Sequence, residues 1–203
     1  MRNVYRLIEQ MTQLEDSDLV SKTLQGDMKA FEVLVNRYKH MVFTLACRLL
    51  RNKEDAEEVA QDTFVKAFKA LDAYAGDAKF STWLYKIAYH HSLDHLRKKK
   101  RVLNTVSIDL NKPVALQVMN NVLEQLEQQD RSRLVKAAID RLSEEDAAIV
   151  TLFYFEDLSI REIAEIVLLS PQTIKVRLYR GRKQLANLLN TSLLKEKMMN
   201  YEH

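Results

Sequence analysis

The chain has 203 residues, 47% of them hydrophobic and 29% charged, a balance typical of soluble globular protein and enough for one domain or two small ones. Three glycines and two prolines are too few for the turn chemistry that hairpins and sheets need, so an all-α fold is expected. The same scarcity excludes a glycine-rich phosphate cradle, since neither GxGxxG nor GxxxxGK(S/T) occurs, and no cofactor is expected. Net charge is only +3, but it is segregated: Glu54 to Asp62 holds five acids and no base, whereas Lys79 to Arg101 holds seven Lys/Arg and one acid, Asp94.

Residues 1–15 form an extension without a strong cap, although Val4, Leu7, Ile8, Met11 and Leu14 fall at helical spacing; a loose helix or an arm ordered on binding fits them. Asp16-Ser17 is expected to cap a helix through Leu24, ended by Gly26. Asp27 caps the next, to about Leu50, with Phe31, Leu34, Val35, Tyr38, Val42, Leu45 and Leu49 on one stripe. Cys47, the single cysteine, lies in this apolar run and reads as a small buried hydrophobe in a reducing compartment. Asn52 caps a third helix, Lys53 to Leu71, whose apolar face is Ala56, Val59, Ala60, Phe64, Ala67 and Phe68. After a loop over 72–79, Ser81 is expected to cap a fourth helix that ends in Arg97-Lys98-Lys99-Lys100-Arg101.

Residues 102–128 are poor in charge, rich in Asn and Gln and interrupted by Pro113, as in a flexible linker with a short helix from Val114 onward. The helical pattern returns at Asp130, and Ser143 caps Glu144 to Phe155. The organisation expected is two small helical domains, 16–101 and 129–192, joined by that linker, with a frayed tail over 193–203. No secretory leader and no apolar run of membrane-spanning length occurs, so a cytoplasmic location is expected.

Leu158 to Leu185 reads as two short helices joined by a tight turn, with Ser159 and Ser170 as caps and Pro171 at the first helical position. Ile160, Ile163, Ala164, Ile174 and Leu178 would pack the pair. The second helix carries Lys175, Arg177, Arg180, Arg182 and Lys183, and no acid lies between Pro171 and Lys183. This is the pattern of a helix-turn-helix that enters a major groove. Ser170, Gln172, Thr173, Lys175, Val176, Arg177 and Arg180 are candidates for base edges, and Arg182 and Lys183 for phosphates.

The fourth helix alternates rings with cations: Phe80, Trp83, Tyr85 and Tyr89 beside Lys79, Lys86, Arg97 and Lys98. Rings that stack on unpaired bases, with cations along the backbone, hold single-stranded DNA. Stacking is worth about 1–3 kcal/mol per base, and separating a duplex step costs about 1.4 kcal/mol on average. A few captured bases could therefore offset much of a local opening. Trp83 and Ile87, four apart, are expected to face the core; Tyr85 and Tyr89 are expected to face DNA. His91 and His95 share a spacing that can hold a metal, but no third ligand accompanies them and no metal is expected. The acidic run Asp55, Glu58, Gln61 and Asp62 fits a solvated helix face on the residues alone.

DAEEVAQDTFVKAFKAL (Asp55 to Leu71) followed by FSTWLYKIAYHHSLDHLRKKKR (Phe80 to Arg101) resembles bacterial extracytoplasmic-function sigma factors of the sigma-70 family, as do GDMKAF at Gly26 and, in the second domain, EDLSIREIAEIVLLSPQTIKVRLYRGRKQL (Glu156 to Leu185). The resemblance implies a dissociable subunit of RNA polymerase that recognises the minus-ten and minus-thirty-five promoter elements and helps open the duplex. It also implies core-polymerase contacts at Asp55, Glu58, Gln61 and Asp62, and minus-ten contacts at Tyr74, Asp77, Lys79, Tyr85, Lys86, Tyr89, His90, Arg97 and Lys98. The minus-thirty-five element would meet the second helix of the helix-turn-helix. An anti-sigma factor, often membrane-anchored, is an implied partner. The chain departs from the family at His90, usually Asn, at Leu168, usually the glycine of the turn, and at Gln172-Thr173, usually Gly-Thr. Leucine fits a left-handed backbone poorly, so a remodelled turn is expected.

The residues also allow a free-standing regulator, its first domain sensing or dimerising; that protein would bind duplex DNA tightly without polymerase. The acidic helix beside the aromatic-basic helix favours the polymerase subunit. An enzyme is not expected, because Cys47 lies in an apolar stretch and no histidine is paired with a nucleophile.

Overall fold

The computed structural model describes residues 14–102 and 128–200, and every regular element among them is helical. The elements are α1 (Asp16–Leu24), α2 (Met28–Leu50), α3 (Lys53–Lys69), α4 (Phe80–Val102), α5 (Gln128–Ile139), α6 (Glu144–Tyr154), α7 (Ile160–Val167) and α8 (Pro171–Asn200), with a 3-10 turn at Leu71–Ala73. The expectations for 1–13, 103–127 and 201–203 lie outside the described residues.

Side-chain caps set most helix starts. Asp27 accepts from the Lys29 amide at 3.0 Å, Asn52 from Asp55 at 2.8 Å and Ser143 from Asp146 at 3.2 Å. Two expectations are corrected. Glu15 flanks α1 and makes no side-chain cap; the Asp16 carboxylate instead accepts from Arg37 (2.5 Å) and from the Tyr38 hydroxyl, tying α1 to α2. Helix α4 begins at Phe80, which places Ser81 inside its first turn. Helix α8 continues through Asn200.

Leu19, Leu34, Leu45, Leu49, Leu71 and Leu84 are fully buried among α1–α4, where α2 packs on α1, α3 and α4. Ile139, Leu142, Ile149, Leu152, Ile163 and Ile174 fill the space among α5–α8. Gly181 lets α8 lie close to α6, since a Cβ there would stand 3.1 Å from Val150 Cγ2. The two groups share one continuous apolar cluster, with α2 against α6 and α4 against α7. Polar contacts also span the junction. Arg48 Nη1 meets Asp140 Oδ1 at 2.5 Å, Arg51 donates to the Leu142 carbonyl, and Lys79 Nζ meets Glu162 Oε1 at 2.9 Å. Cys47 is half-buried, and burial raises its thiol pKa, so the unreactive form predominates.

Candidate nucleic-acid interface

The helix-turn-helix is built by α7 and α8. Ser159 caps α7 through a reciprocal box: its hydroxyl accepts from the Glu162 amide at 3.3 Å, and the Glu162 carboxylate accepts from the Ser159 amide at 2.8 Å. The turn keeps a left-handed residue despite the missing glycine. Leu168 sits at φ 56° and ψ 43°, 62% exposed, and its amide closes on the Ala164 carbonyl. Ser170 caps α8 by accepting from the Thr173 amide at 3.1 Å, and its hydroxyl lies 2.8 Å from the Thr173 hydroxyl.

Ile163, Ile174 and Leu178 are buried between the two helices, as expected. Gln172, Lys175, Val176, Arg180, Arg182 and Lys183 are exposed. Arg177 is not: it is held by Glu145 at 2.7 Å and Asp146 at 3.3 Å. Arg177 therefore ties α8 to the amino-terminal turn of α6, and the groups left free for DNA are its neighbours on the outer stripe. Sequence reasoning passed over Tyr179, 60% exposed on that same stripe, four residues after Lys175; the spacing alone could have placed it there.

In the first group, Tyr74 donates to the Ala78 carbonyl at 2.6 Å and packs beside Trp83, with ring centroids 5.2 Å apart, which fixes the loop before α4. Asp77, Lys79, Lys86, Arg97 and Lys98 are exposed, Lys79 through its contact with Glu162 and Arg97 beside Asp94 at 3.1 Å. The expected outward facing of Tyr85 and Tyr89 is corrected, while that of Trp83 and Ile87 toward the core holds. Trp83 and Ile87 are partly buried against the core, whereas Tyr85 and Tyr89 are 1% and 3% exposed. The reason is the second group. Burial, and then the Glu156 carboxylate, pushes the Tyr85 hydroxyl well above the ordinary tyrosine range. Burial, with Glu145 and Asp146 nearby, pushes Tyr89 up to about 12. His90, half-buried, places Nε2 3.0 Å from the Ile166 carbonyl at the end of α7.

The acidic ridge of α3 is partly occupied from within. Asp55 is bonded by Lys99 and lies 3.5 Å from His95; the Lys99 hydrogen bond holds its carboxyl below the usual range. Glu58, Gln61 and Asp62 stay exposed. Lys66 Nζ lies 2.6 Å from His91 Nδ1, and Asp62 lies 3.4 Å from its other ring nitrogen. Burial, then the Lys66 charge, lowers the His91 pKa, so the imidazole stays neutral. Among the described residues no group of three His, Cys, Asp or Glu is arranged to hold a metal, and no helix is long and apolar enough to cross a membrane.

These surfaces coincide with two family matches. Sigma-70 region 2 matches residues 34–102, which span most of α2 through α4. Sigma-70 region 4 matches residues 132–185, which include the helix-turn-helix. The chain is 33% identical over 181 residues to the ECF RNA polymerase sigma-E factor of Escherichia coli, covering 86% of this chain and 94% of that protein. It is 31% identical over 190 residues to the RNA polymerase sigma-H factor of Pseudomonas aeruginosa, covering 90% and 98%. Its fold is like that of CnrH, solved in complex with the cytosolic domain of CnrY, with a TM-score of 0.62 at 24% identity, covering 87% of this chain and 97% of that one. The chain is a member of the sigma-70 family of RNA polymerase sigma factors, in its extracytoplasmic-function branch.

Proposed function

We propose that the chain binds core RNA polymerase through the α3 ridge, captures the unpaired minus-ten strand along α4 and its preceding loop, and reads the minus-thirty-five duplex with α8. The observation that carries this is the pairing, in one chain, of an exposed carboxylate ridge with an aromatic-basic helix and a cationic recognition helix. On α3, Glu58 and Gln61 are exposed, Asp62 is exposed while lying beside His91, and Asp55 shapes the ridge through Lys99 and His95. On α8, Gln172, Thr173, Lys175, Val176 and Arg180 meet bases, Arg182 and Lys183 meet phosphates, and Ser170 and Arg177 set the pose. In the first group, Tyr74 and Asp77 shape the loop, while Lys79, Lys86, Arg97 and Lys98 follow the strand backbone. Tyr85, Tyr89 and His90 supply the surface behind them.

The protein acts by binding, not by catalysing a reaction, and it works in the cytoplasm, where polymerase and DNA are. The family also suggests an anti-sigma partner, and CnrH was solved with the cytosolic domain of one named protein, CnrY. Two modules, 16–101 for core and minus-ten contacts and 129–192 for the minus-thirty-five contact, divide this work. The test is reconstitution. Core polymerase with this chain should start transcription from some genomic fragments without an ATP-hydrolysing activator, and Lys175→Ala with Arg180→Ala should weaken upstream-duplex binding while sparing core association. Tight duplex binding by the free chain, with no effect of or on polymerase, would favour the free-standing regulator instead.

A further inference from the structure

Arg177 lies in a row of cations on α8 but is engaged from within the protein. Lys175, Arg180, Arg182 and Lys183 are exposed, whereas Arg177 places Nη1 2.7 Å from Glu145 Oε2 and 3.3 Å from Asp146 Oδ1. Both carboxylates stand in the first turn of α6, where the helix dipole favours acids and where the Ser143 hydroxyl, accepting from the Asp146 amide at 3.2 Å, fixes the backbone. The cluster is not sealed: the Arg177 side chain is 29% exposed and that of Glu145 46%. Glu145, Asp146 and Arg177 line one groove with Arg180, a cation assigned to DNA. Two carboxylates face one guanidinium there, so the cluster is net negative at the edge of a stretch that otherwise presents cations. A nucleic-acid phosphate approaching that edge meets repulsion and finds Arg177 already paired.

We infer that Glu145 and Asp146 are specificity-determining residues of the recognition helix: they withhold Arg177 from phosphates and repel the backbone at that edge, which lowers affinity for DNA of every sequence and leaves base reading by the rest of α8 to decide. The inference rests on the proposed reading of duplex DNA by α8 and adds to it a restraint on unselective binding. Phosphates are the same in every sequence, so a cation placed on one strengthens right and wrong sites alike. Discrimination is a difference of affinities, and a repulsive element placed against the shared part of all sites widens the share that bases control.

The test uses the full chain. Glu145→Gln with Asp146→Asn removes both charges with isosteric side chains, and Asp18→Asn with Glu32→Gln, exposed on α1 and α2, is the charge-matched control. Affinity for a labelled random-sequence duplex is read by fluorescence anisotropy across a salt series, because each phosphate contact adds about 0.9 to the slope of log affinity against log salt. The carboxylate variant should bind about three- to tenfold tighter at about 0.1 M salt, with a slope steeper by about one, and the control should do neither. Adding Arg177→Gln to the carboxylate variant should take that unit away again. In the otherwise unaltered chain Arg177→Gln should leave the slope unchanged, whereas Arg182→Gln, which removes a proposed phosphate contact, should lower it by about one. With core polymerase present, the carboxylate variant should also enrich the genomic fragment favoured by the unaltered chain less strongly over random duplex. Unchanged affinity and slope in the carboxylate variant, or a unit lost on Arg177→Gln alone, would overturn the withholding of Arg177. Tighter binding with undiminished enrichment would overturn the role in specificity. The Arg177→Gln arm decides even where a thermal melt shows the double variant to fold poorly. An unchanged slope for Arg182→Gln would instead refute the reading of duplex DNA by α8, on which the inference depends.

Discussion

Replacing Leu168 with glycine should leave stability within about 1 kcal/mol of its starting value, although truncating a buried leucine to alanine costs about 2–5 kcal/mol. Leu168 holds φ 56° and ψ 43° at the end of α7. A side chain with a Cβ in that region costs about 1–2 kcal/mol, which glycine relieves. Against this, glycine has more freedom to lose on folding, about 0.5–1 kcal/mol. Leu168 is 62% exposed, so only some two-fifths of a leucine's burial, about 0.6–1.1 kcal/mol, is forfeited. The three terms cancel to within about 1 kcal/mol. Leu168→Val keeps the strain and adds a branched Cβ that the left-handed region resists, so it should lose about 1 kcal/mol or more. Urea titration of the full chain measures both, and in a chain of this size 1 kcal/mol moves Tm by about 2–4 °C. A glycine variant weaker by more than about 2 kcal/mol, with the valine variant unaffected, would show that the turn is not left-handed there.

Ser159→Ala removes the hydroxyl arm of the α7 capping box, leaves the backbone amide of residue 159 bonded to the Glu162 carboxylate, and should cost about 1 kcal/mol in thermal or urea unfolding, with Ser159→Asp recovering most of it. His91 has a lowered pKa in the folded chain, so the unfolded chain binds the proton first. That stability is fully present above the ordinary histidine pKa of about 6.5 and declines as pH falls below it. Melting followed from about pH 7.5 to 5.5 should show this slope, and His91→Gln should flatten it. Glu58→Lys with Asp62→Lys should weaken core-polymerase association about tenfold or more in a pull-down titration while barely moving Tm, since exposed charges contribute little to folding. A large stability loss, or normal association, would show that the ridge has another role.

The helices were legible because their starts are chemically marked. Asp27, Asn52, Ser143, Ser159 and Ser170 each accept an amide from the first turn of the following helix. Asp16 escaped that logic because a stronger long-range pair, Arg37 with Tyr38, claims its carboxylate. The stripe on α2 and the inner face of the helix-turn-helix followed from 3.6-residue spacing. The facing of α4 did not follow, because that helix is apolar on more than one side. Its rings at Tyr85 and Tyr89 are covered by helices much later in the chain, as the packing of α7 on α4 and the nearby charges of Glu145 and Arg177 at Tyr89 illustrate. A similar distance hid the partner of Lys79, Glu162, and a separation of 32 residues hid that of Arg177, Glu145 in α6. Local spacing reports faces; it does not report which face a remote part of the chain will cover.

The continuous cluster running from Leu19 to Leu178 has a calorimetric consequence. Helical groups that share buried surface do not melt independently, so heating the unaltered chain should give one endotherm, with a van't Hoff enthalpy near the measured heat. Any alteration that parts the groups should divide that peak into two smaller ones. The number of peaks would then count how many cooperative units the chain contains.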